Sequence, residues 1–333
     1  MLITKTKVDG DGIHAFDQRE VINARLLACL PAGASCFTVF TFCDLGRGGN
    51  GHRVINLLND CYRAADPCAL QNIKALSALE PSMVYVVLYA GVENASCVVY
   101  YQKGRAIKRC GSGTLAAAKI LLNTSAAKAY MSLRHHVSEI NGVNESVHIQ
   151  GPVEALSLQQ KSADIFAYTS DCLPLRRVTK AAASLWRHGS ILPALNPQAI
   201  VGCYNAGGPK DYCVLVLRDE KALKRVQPNF NVMGRLTRRA LIATAPASGH
   251  QTFDYLLRYF APQYGNNEDA ATGSAHLQVA QYWQQRFGKA TVRGLQCSAE
   301  GGRFVVSRLG GVASAKKQQV MGTADITAGF CVL

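Results

Sequence analysis

Two short stretches of the chain put reactive side chains at the mouths of helices. In "RCGSGTLAAAKILLN", residues 109–123, Cys110 precedes a Gly111-Ser112-Gly113 turn and a small, apolar run of strong helix formers. In "NNEDAATGSAHLQVAQYWQQRF", residues 266–287, Glu268 and Asp269 precede a Thr272-Gly273-Ser274 turn and a second helical pattern. A helix N-terminus presents unpaired N–H groups and the positive end of its dipole, so each turn suits a carboxylate. A cysteine there is expected to have a lowered pKa, and the carboxylates beside the other turn can move protons. The plain alternative for either turn alone is ordinary capping, with Thr272 or Ser274 bonding free N–H groups and the two acids favoured by the dipole. Two turns of one design, each feeding a buried helix, point beyond capping. If the N-termini face each other across a cleft, they form one carboxylate site.

The elements that must position these residues are bounded by length and composition. A chain of 333 residues exceeds the usual single domain, so two domains are expected. With 48% hydrophobic and 17% charged residues and no low-complexity tract, it reads as a folded protein throughout. The longest apolar run, "MVYVVLYAGV" at 83–92, falls short of the roughly 18 residues of a spanning helix. Asp9 and Asp11 interrupt the N-terminus before any signal-peptide core, so a cytoplasmic location and no membrane partner are expected. The 12 cysteines are scattered, without C-x-x-C or H-E-x-x-H, and read as buried small hydrophobes; no residue calls for a metal or a redox cofactor. The net charge of +14 is the sole support for nucleic-acid binding. Its densest basic stretches, 173–190 and 223–239, read as solvated helix faces, and no Walker loop, zinc knuckle or aromatic-rich basic strand accompanies them.

Along the chain, residues 1–35 hold one helix, "AFDQREVINARLLACL", and a "PAGAS" break. From Cys36 the pattern alternates: "CFTVFTF" and "HRVINLL" are strands around a glycine turn. A helix follows at "PCALQNIKALSAL", with Asp66 as N-cap and Pro67 as its first residue, and then the strands "SMVYVVLYA" and "SCVVYYQ". The second half repeats this rhythm through "QAIVGCYNA", "DYCVLVL", a short helix "RDEKALKRV", "RALIATAP" and "FDYLLRYF". Each half is a β-rich layer followed by one small-residue helix. That helix is apolar around most of its circumference and is expected inside its own domain's sheet.

The chain resembles the phenazine-biosynthesis PhzF-like family of the diaminopimelate epimerase-like superfamily. The likeness rests on "FTVFTF", "GGNG", "RCGSGTLAAAKIL", "QPNFN", "RYFAPQYGNNEDAATGSAHLQVAQYW" and "GLQCSAEGGRFVV", and covers the chain from Cys36 onward. It implies an α+β fold of two pseudo-symmetric domains, each a curved, barrel-like sheet around a central helix, with the active site between them and a homodimer as the assembly. The expected division is an N-terminal extension 1–35, a first domain 36–165 with central helix 111–123, and a second domain 166–333 with central helix 273–287, its last strand crossing back.

The resemblance also implies cofactor-independent isomerisation, a proton taken from carbon and returned elsewhere on a small carboxylate. The superfamily's racemases use two cysteines, one at each central helix; Cys110 fills the first place and Thr272 the second, and a hydroxyl is too weak an acid to replace a thiol. PhzF-like proteins use a single carboxylate instead, and Glu80 is its match, in Leu79-Glu80-Pro81-Ser82 where the family has a Leu-Ser-Glu-Thr pattern. Asp269 and Ser274 match the groups that hold the substrate, Gly111, Gly113 and Gly273 its backbone donors, and Asn50 the glycine-asparagine turn. Ser112 stands where the family often has histidine, and a serine cannot titrate near neutrality. His276, one turn into the second helix, is a packed or capping histidine on the plain reading. The alternatives are a binding protein that kept the cleft without the chemistry, and a two-base racemase or epimerase.

Overall fold

Stretches of continuous apolar sequence become strands covered on both faces, and the two small-residue helices become the interior those strands wrap. The computed structural model describes residues 18–43, 48–58, 67–90, 96–107, 110–123, 146–150, 155–160, 164–187, 189–308 and 317–331. The N-terminal half holds α1 (Gln18–Cys29), β1 (Ser35–Thr41), β2 (Asn50–Asn56), α2 (Pro67–Leu76), β3 (Val84–Ala90), β4 (Ser96–Gln102), β5 (Arg105–Ile107), α3 (Gly111–Asn123), β6 (Ser146–Gln150), β7 (Ala155–Gln160) and β8 (Ile165–Asp171). The C-terminal half holds β9 (Leu175–Arg177), α4 (Lys180–Arg187), β10 (Ile200–Ala206), β11 (Tyr212–Leu217), α5 (Glu220–Lys224), α6 (Phe230–Leu236), β12 (Ala240–Pro246), β13 (Tyr255–Phe260), α7 (Gly273–Phe287), β14 (Thr291–Gln296), β15 (Gly302–Arg308) and β16 (Lys317–Cys331). Asp66, expected to cap α2, lies outside the described residues. Among the described residues, no helix is long and apolar enough to cross a membrane.

All the strands belong to one sheet, ordered β1-β2-β3-β4-β6-β7-β8-β16-β15-β14-β13-β12-β11-β10-β9, with β5 paired to β4. The long β16 joins the halves. Its first part lies between β8 and β15, with Gln318 opposite Ser170 on one side and Arg308 on the other. Its second part, Ala324 to Cys331, pairs with β1, so the N-terminal ladder returns to its first strand.

Period-two alternation gives each strand an inner and an outer face. In β2 and β3, Val54 and Val86 face inward to α3, packing with Leu115, Ile120 and Leu121, whereas Ile55, Tyr85 and Val87 face outward to Ile22 and Leu26 of α1 and Ile73 of α2. In the C-terminal half, Val214, Ile242 and Leu257 belong to the inner core with α7, and Leu215, Leu241 and Leu256 to an outer core with Leu223 of α5 and Met233 of α6. Helices on both faces explain why β3 and β11 read as nearly unbroken apolar runs rather than alternating ones.

The enclosed α3 has Leu115, Ala116, Ala117, Ala118 and Ile120 fully buried, and its one lysine, Lys119, reaches Asp164 at 2.6 Å. The second central helix is less apolar and meets its polar burial with hydrogen bonds. Gln278 accepts from the Leu173 N–H at 2.7 Å, Gln284 donates to the Ala290 carbonyl at 3.0 Å, and the Trp283 indole donates to Thr244 at 3.0 Å. Alanines between strands leave no room for larger side chains, so Ala117→Leu is expected to cost ~1–3 kcal/mol, read as a lowered denaturation midpoint with an unchanged slope.

Candidate active site

Cys110 is the residue from which α3 starts. Its carbonyl accepts the Thr114 N–H at 2.8 Å and closes the first turn, while its sulfur accepts the Gly113 N–H at 3.3 Å, so the thiol itself caps the helix. Thr114 also donates its hydroxyl to the Cys110 carbonyl at 2.8 Å and accepts the Tyr100 phenol at 2.6 Å, which pins the turn from β4. The lowered pKa expected of Cys110 is corrected by this setting. Burial pushes the thiol up and the Asp269 charge adds to it, outweighing the backbone N–H groups of Gly113 and Ser112.

The start of α7 is built differently. Thr272 or Ser274 is expected to cap it, but the Thr272 hydroxyl is donated to Asp269, and the helix has no side-chain cap. Asp269 also accepts from the Asn266 amide at 3.0 Å; burial raises its pKa above the ordinary carboxylate value, against both hydrogen bonds and the Ala270 N–H. Glu268, its neighbour, is held in a two-point pair by Arg258 at 2.7 Å on each arm, so its charge is answered by β13 rather than by the helix dipole. The fully buried Gln296 organises the loop: it accepts the Thr272 N–H at 2.7 Å and donates to the Asp269 carbonyl at 2.6 Å.

The two helix starts come together. A Cβ on Gly111 would lie 2.7 Å from the Tyr168 hydroxyl, and one on Gly273 closer still, so a single tyrosine from β8 reaches both turns and a side chain at either would have to displace it. Asn50 ties the halves: its amide donates to the Ala271 carbonyl and its oxygen accepts the Ala271 N–H at 3.2 Å. Beside it, Gly49 donates to the Gly301 carbonyl at 3.0 Å with φ at +72°, a conformation that favours glycine. Cys110, Gly111, Asp269, Ser274 and Asn50 all keep part of their surface open, while Ser112, Gly113 and Gly273 are buried.

Glu80 is not brought to this place. Its carboxylate accepts from Arg53 at 3.0 and 2.9 Å and from the Tyr85 phenol at 2.6 Å. Arg53 follows His52 on β2 and Tyr85 belongs to the core under α1 and α2, so this cluster occupies the outer face of the sheet, opposite α3. His276 packs within the second half, stacked on Phe304 at 3.7 Å with Nδ1 2.8 Å from the Tyr255 phenol, and burial pushes its pKa down to about 3.

Three residues at the site escaped the sequence reading: His52, Tyr168 and Gln296. His52 lies inside a strand pattern as an apolar position would, and its signal was a titratable ring on the inward face of β2, between Asn50 and Val54. Among the described residues, no group of three or more histidine, cysteine or acidic side chains is placed to hold a metal ion.

Comparison with known proteins finds relatives in sequence and in fold. The sequence pattern of the phenazine biosynthesis-like protein family, PhzC-PhzF, matches residues 41–326. An uncharacterized isomerase of Pseudomonas aeruginosa is 41% identical over 97 residues, 29% of this chain and 36% of that protein. The match thus spans little more than a third of that relative's own length. Among solved structures, a PhzF-family phenazine biosynthesis protein from Enterococcus faecalis superposes with a TM-score of 0.68 at 21% identity, covering 89% of this chain and 98% of the other. A predicted epimerase from Pseudomonas aeruginosa does so with a TM-score of 0.61 at 16% identity, covering 91% and 99%. The fold is α+β, of the diaminopimelate epimerase-like type.

The placement of Glu80 yields a direct expectation. Glu80→Gln leaves the buried Arg53 guanidinium without its counter-charge and is expected to lower stability by ~3 kcal/mol or more, measured by denaturant unfolding, while Cys110 keeps its wild-type alkylation rate.

Proposed function

We propose that this chain, which belongs to the phenazine biosynthesis-like family, is an isomerase that moves a proton on a small carboxylate held between the N-termini of α3 and α7. The observation that carries the reading is the meeting of two partly open proton-transfer groups, Cys110 and Asp269, at two helix starts reached by one tyrosine. The substrate carboxylate would take the N–H groups of Gly111, Ser112, Gly273 and Ser274, since the Gly113 N–H is already given to Cys110. Asn50, by fixing Ala271, holds those donors at a constant separation.

The chemistry needs no cofactor on this reading. Asp269, with its pKa raised by burial, removes a proton from the substrate carbon, and the electrons of that C–H bond move into an enolate-like system facing the preorganised N–H donors. Cys110 gives a proton back at another atom, and the two groups then re-equilibrate. Glu80, the family's expected base, has no part in these steps, because its carboxylate is committed to Arg53 on the other face. A homodimer belongs to the same reading and rests on the family resemblance. The position of Glu80 also favours a second reading, a binding protein that keeps the carboxylate site without proton transfer.

Deuterium incorporation in D₂O separates the two. Wild-type protein incubated with a panel of small amino and hydroxy carboxylates is expected to wash deuterium into at least one, read by mass spectrometry. Asp269→Asn and Cys110→Ala are each expected to slow exchange by about 10²–10⁴-fold, and Glu80→Gln to retain it per folded molecule. Carboxylate binding without exchange on any compound would establish the binding-protein reading instead. The pH profile carries a further sign: Asp269 works ionised, so exchange falls as pH drops through its raised pKa, placing the acid limb above the ordinary carboxylate range of about 4.

A further inference from the structure

Behind Cys110 lies a buried imidazole that the proton-transfer scheme leaves unused. His52 is fully buried on the inward face of β2. Its Nδ1 is 3.2 Å from the Val39 carbonyl, its Nε2 is 3.1 Å from the Ser112 hydroxyl, and that hydroxyl is 3.3 Å from the Cys110 sulfur. The order of protons along this line follows from what each atom can do. A carbonyl oxygen only accepts, so Nδ1 carries the hydrogen. Burial drives the ring down to about 4, against the Val39 and Asn50 carbonyls that favour its cation, so near neutrality the ring is uncharged and Nε2 is an acceptor. Ser112 has one proton and gives it to Nε2. Its oxygen then meets Cys110 with lone pairs, and the thiol donates to it.

We propose that His52 acts through Ser112 as a positioning residue that keeps Cys110 protonated and oriented, making Cys110 the proton donor of the site and leaving Asp269 as the acceptor. A thiolate at Cys110 would draw the Ser112 hydroxyl round to sulfur and strand the Nε2 acceptor in a dry pocket, a loss that His52 alone imposes. Among the described residues, the titratable groups packed around this turn are Asp269 from the other half, Tyr100 from β4 and Tyr168 from β8; Asp269 raises the thiol pKa, Tyr100 lies behind Thr114, and the Tyr168 hydroxyl lies over Gly111. The Ser112 hydroxyl has His52 and Cys110 as its side-chain partners, and of these His52 is the acceptor that sets its direction. The opposite flow, from the thiol through Ser112 to His52, would put an imidazolium where burial disfavours it. The proposal rests on Cys110 being a proton-transfer group, but its test uses thiol chemistry without substrate, so the two readings fail separately.

The experiment is the pH dependence of iodoacetamide alkylation at Cys110, followed on its own peptide by mass spectrometry, in wild type, His52→Leu, Ser112→Ala, the double variant and His52→Gln. Removing the imidazole frees the Ser112 hydroxyl for the thiolate. His52→Leu is therefore expected to lower the apparent pKa of Cys110 by about one unit, near tenfold faster alkylation below it. The same change made in the Ser112→Ala background is expected to do nothing, and His52→Gln, which restores a carbonyl acceptor, to return the wild-type profile. A shift that survives without Ser112, no shift at all, or a rise in pKa with His52→Leu would overturn the proposal. Should His52→Leu fail to fold, Ser112→Ala decides alone: the held-thiol arrangement predicts no rise in the Cys110 pKa, and a rise would mean that Ser112 already serves the thiolate.

Discussion

A helix enclosed by a sheet must find partners for its first N–H groups inside the protein, and most of the site follows from that constraint. On the open surface of a protein, water would satisfy those groups. Here α3 and α7 are wrapped by strands, and their starts are answered by whatever the neighbouring loops supply. Cys110 turns its own sulfur onto Gly113, and Gln296 takes the Thr272 N–H. Thr272 spends its hydroxyl on Asp269, leaving the next N–H groups of α7 without a side-chain cap. The proposed ligand site is thus the part of a necessary accounting that the protein leaves open.

The same constraint decides which carboxylate is free of a charged partner beside the helix starts. Successive residues of β2 point to opposite faces, so His52 and Arg53, adjacent in sequence, serve different cores. Arg53 lies buried on the outer face and needs a counter-charge, and Glu80, at the entry to β3, supplies it in two-point geometry with Tyr85 closing the third side. An ion pair so enclosed is costly to open, because either partner would be left as an unpaired buried charge. Glu80 is therefore held by the arginine that period two placed opposite the helix. Asp269, whose neighbours donate neutral hydrogen bonds, carries no such tie.

Much of this architecture was legible in the sequence because it depends on patterns that local chemistry enforces. The all-round apolar run after Gly113 reads as an enclosed helix, and the unbroken apolar strands as doubly covered ones, since neither pattern is tolerated elsewhere. The helix-mouth residues Cys110, Gly111, Asp269 and Gly273 were readable for the same reason. What the sequence concealed depends on pairing across distance. Tyr168 is one of 13 tyrosines, and only the register of β8 against β16 aims it at both glycines. His52 looks like any strand residue until Ser112 is placed beside it, and the pKa of Cys110, which its helix position alone would lower, is raised by burial and by a charge more than a hundred residues away in sequence.

That last reversal also gives a physical basis for the proposed pairing of an acid with a base in one site. Asp269 and Cys110 are both pushed toward their neutral forms by burial, and the charge of the carboxylate pushes the thiol further. Two anions at this spot would repel each other in a poorly solvated gap, so the group with the lower intrinsic pKa keeps the charge and the other keeps its proton. The uncapped N–H groups at the start of α7 add a positive field on the side where the carboxylate lies. On the proposed reading, an anionic substrate entering the gap would raise both pKa values again, making the carboxylate a stronger base and giving the thiol more reason to stay protonated. On that reading binding itself would sharpen the division between acceptor and donor, and the enclosed surroundings of Cys110 beside a carboxylate, unfavourable for a nucleophile, are the ones a proton donor requires.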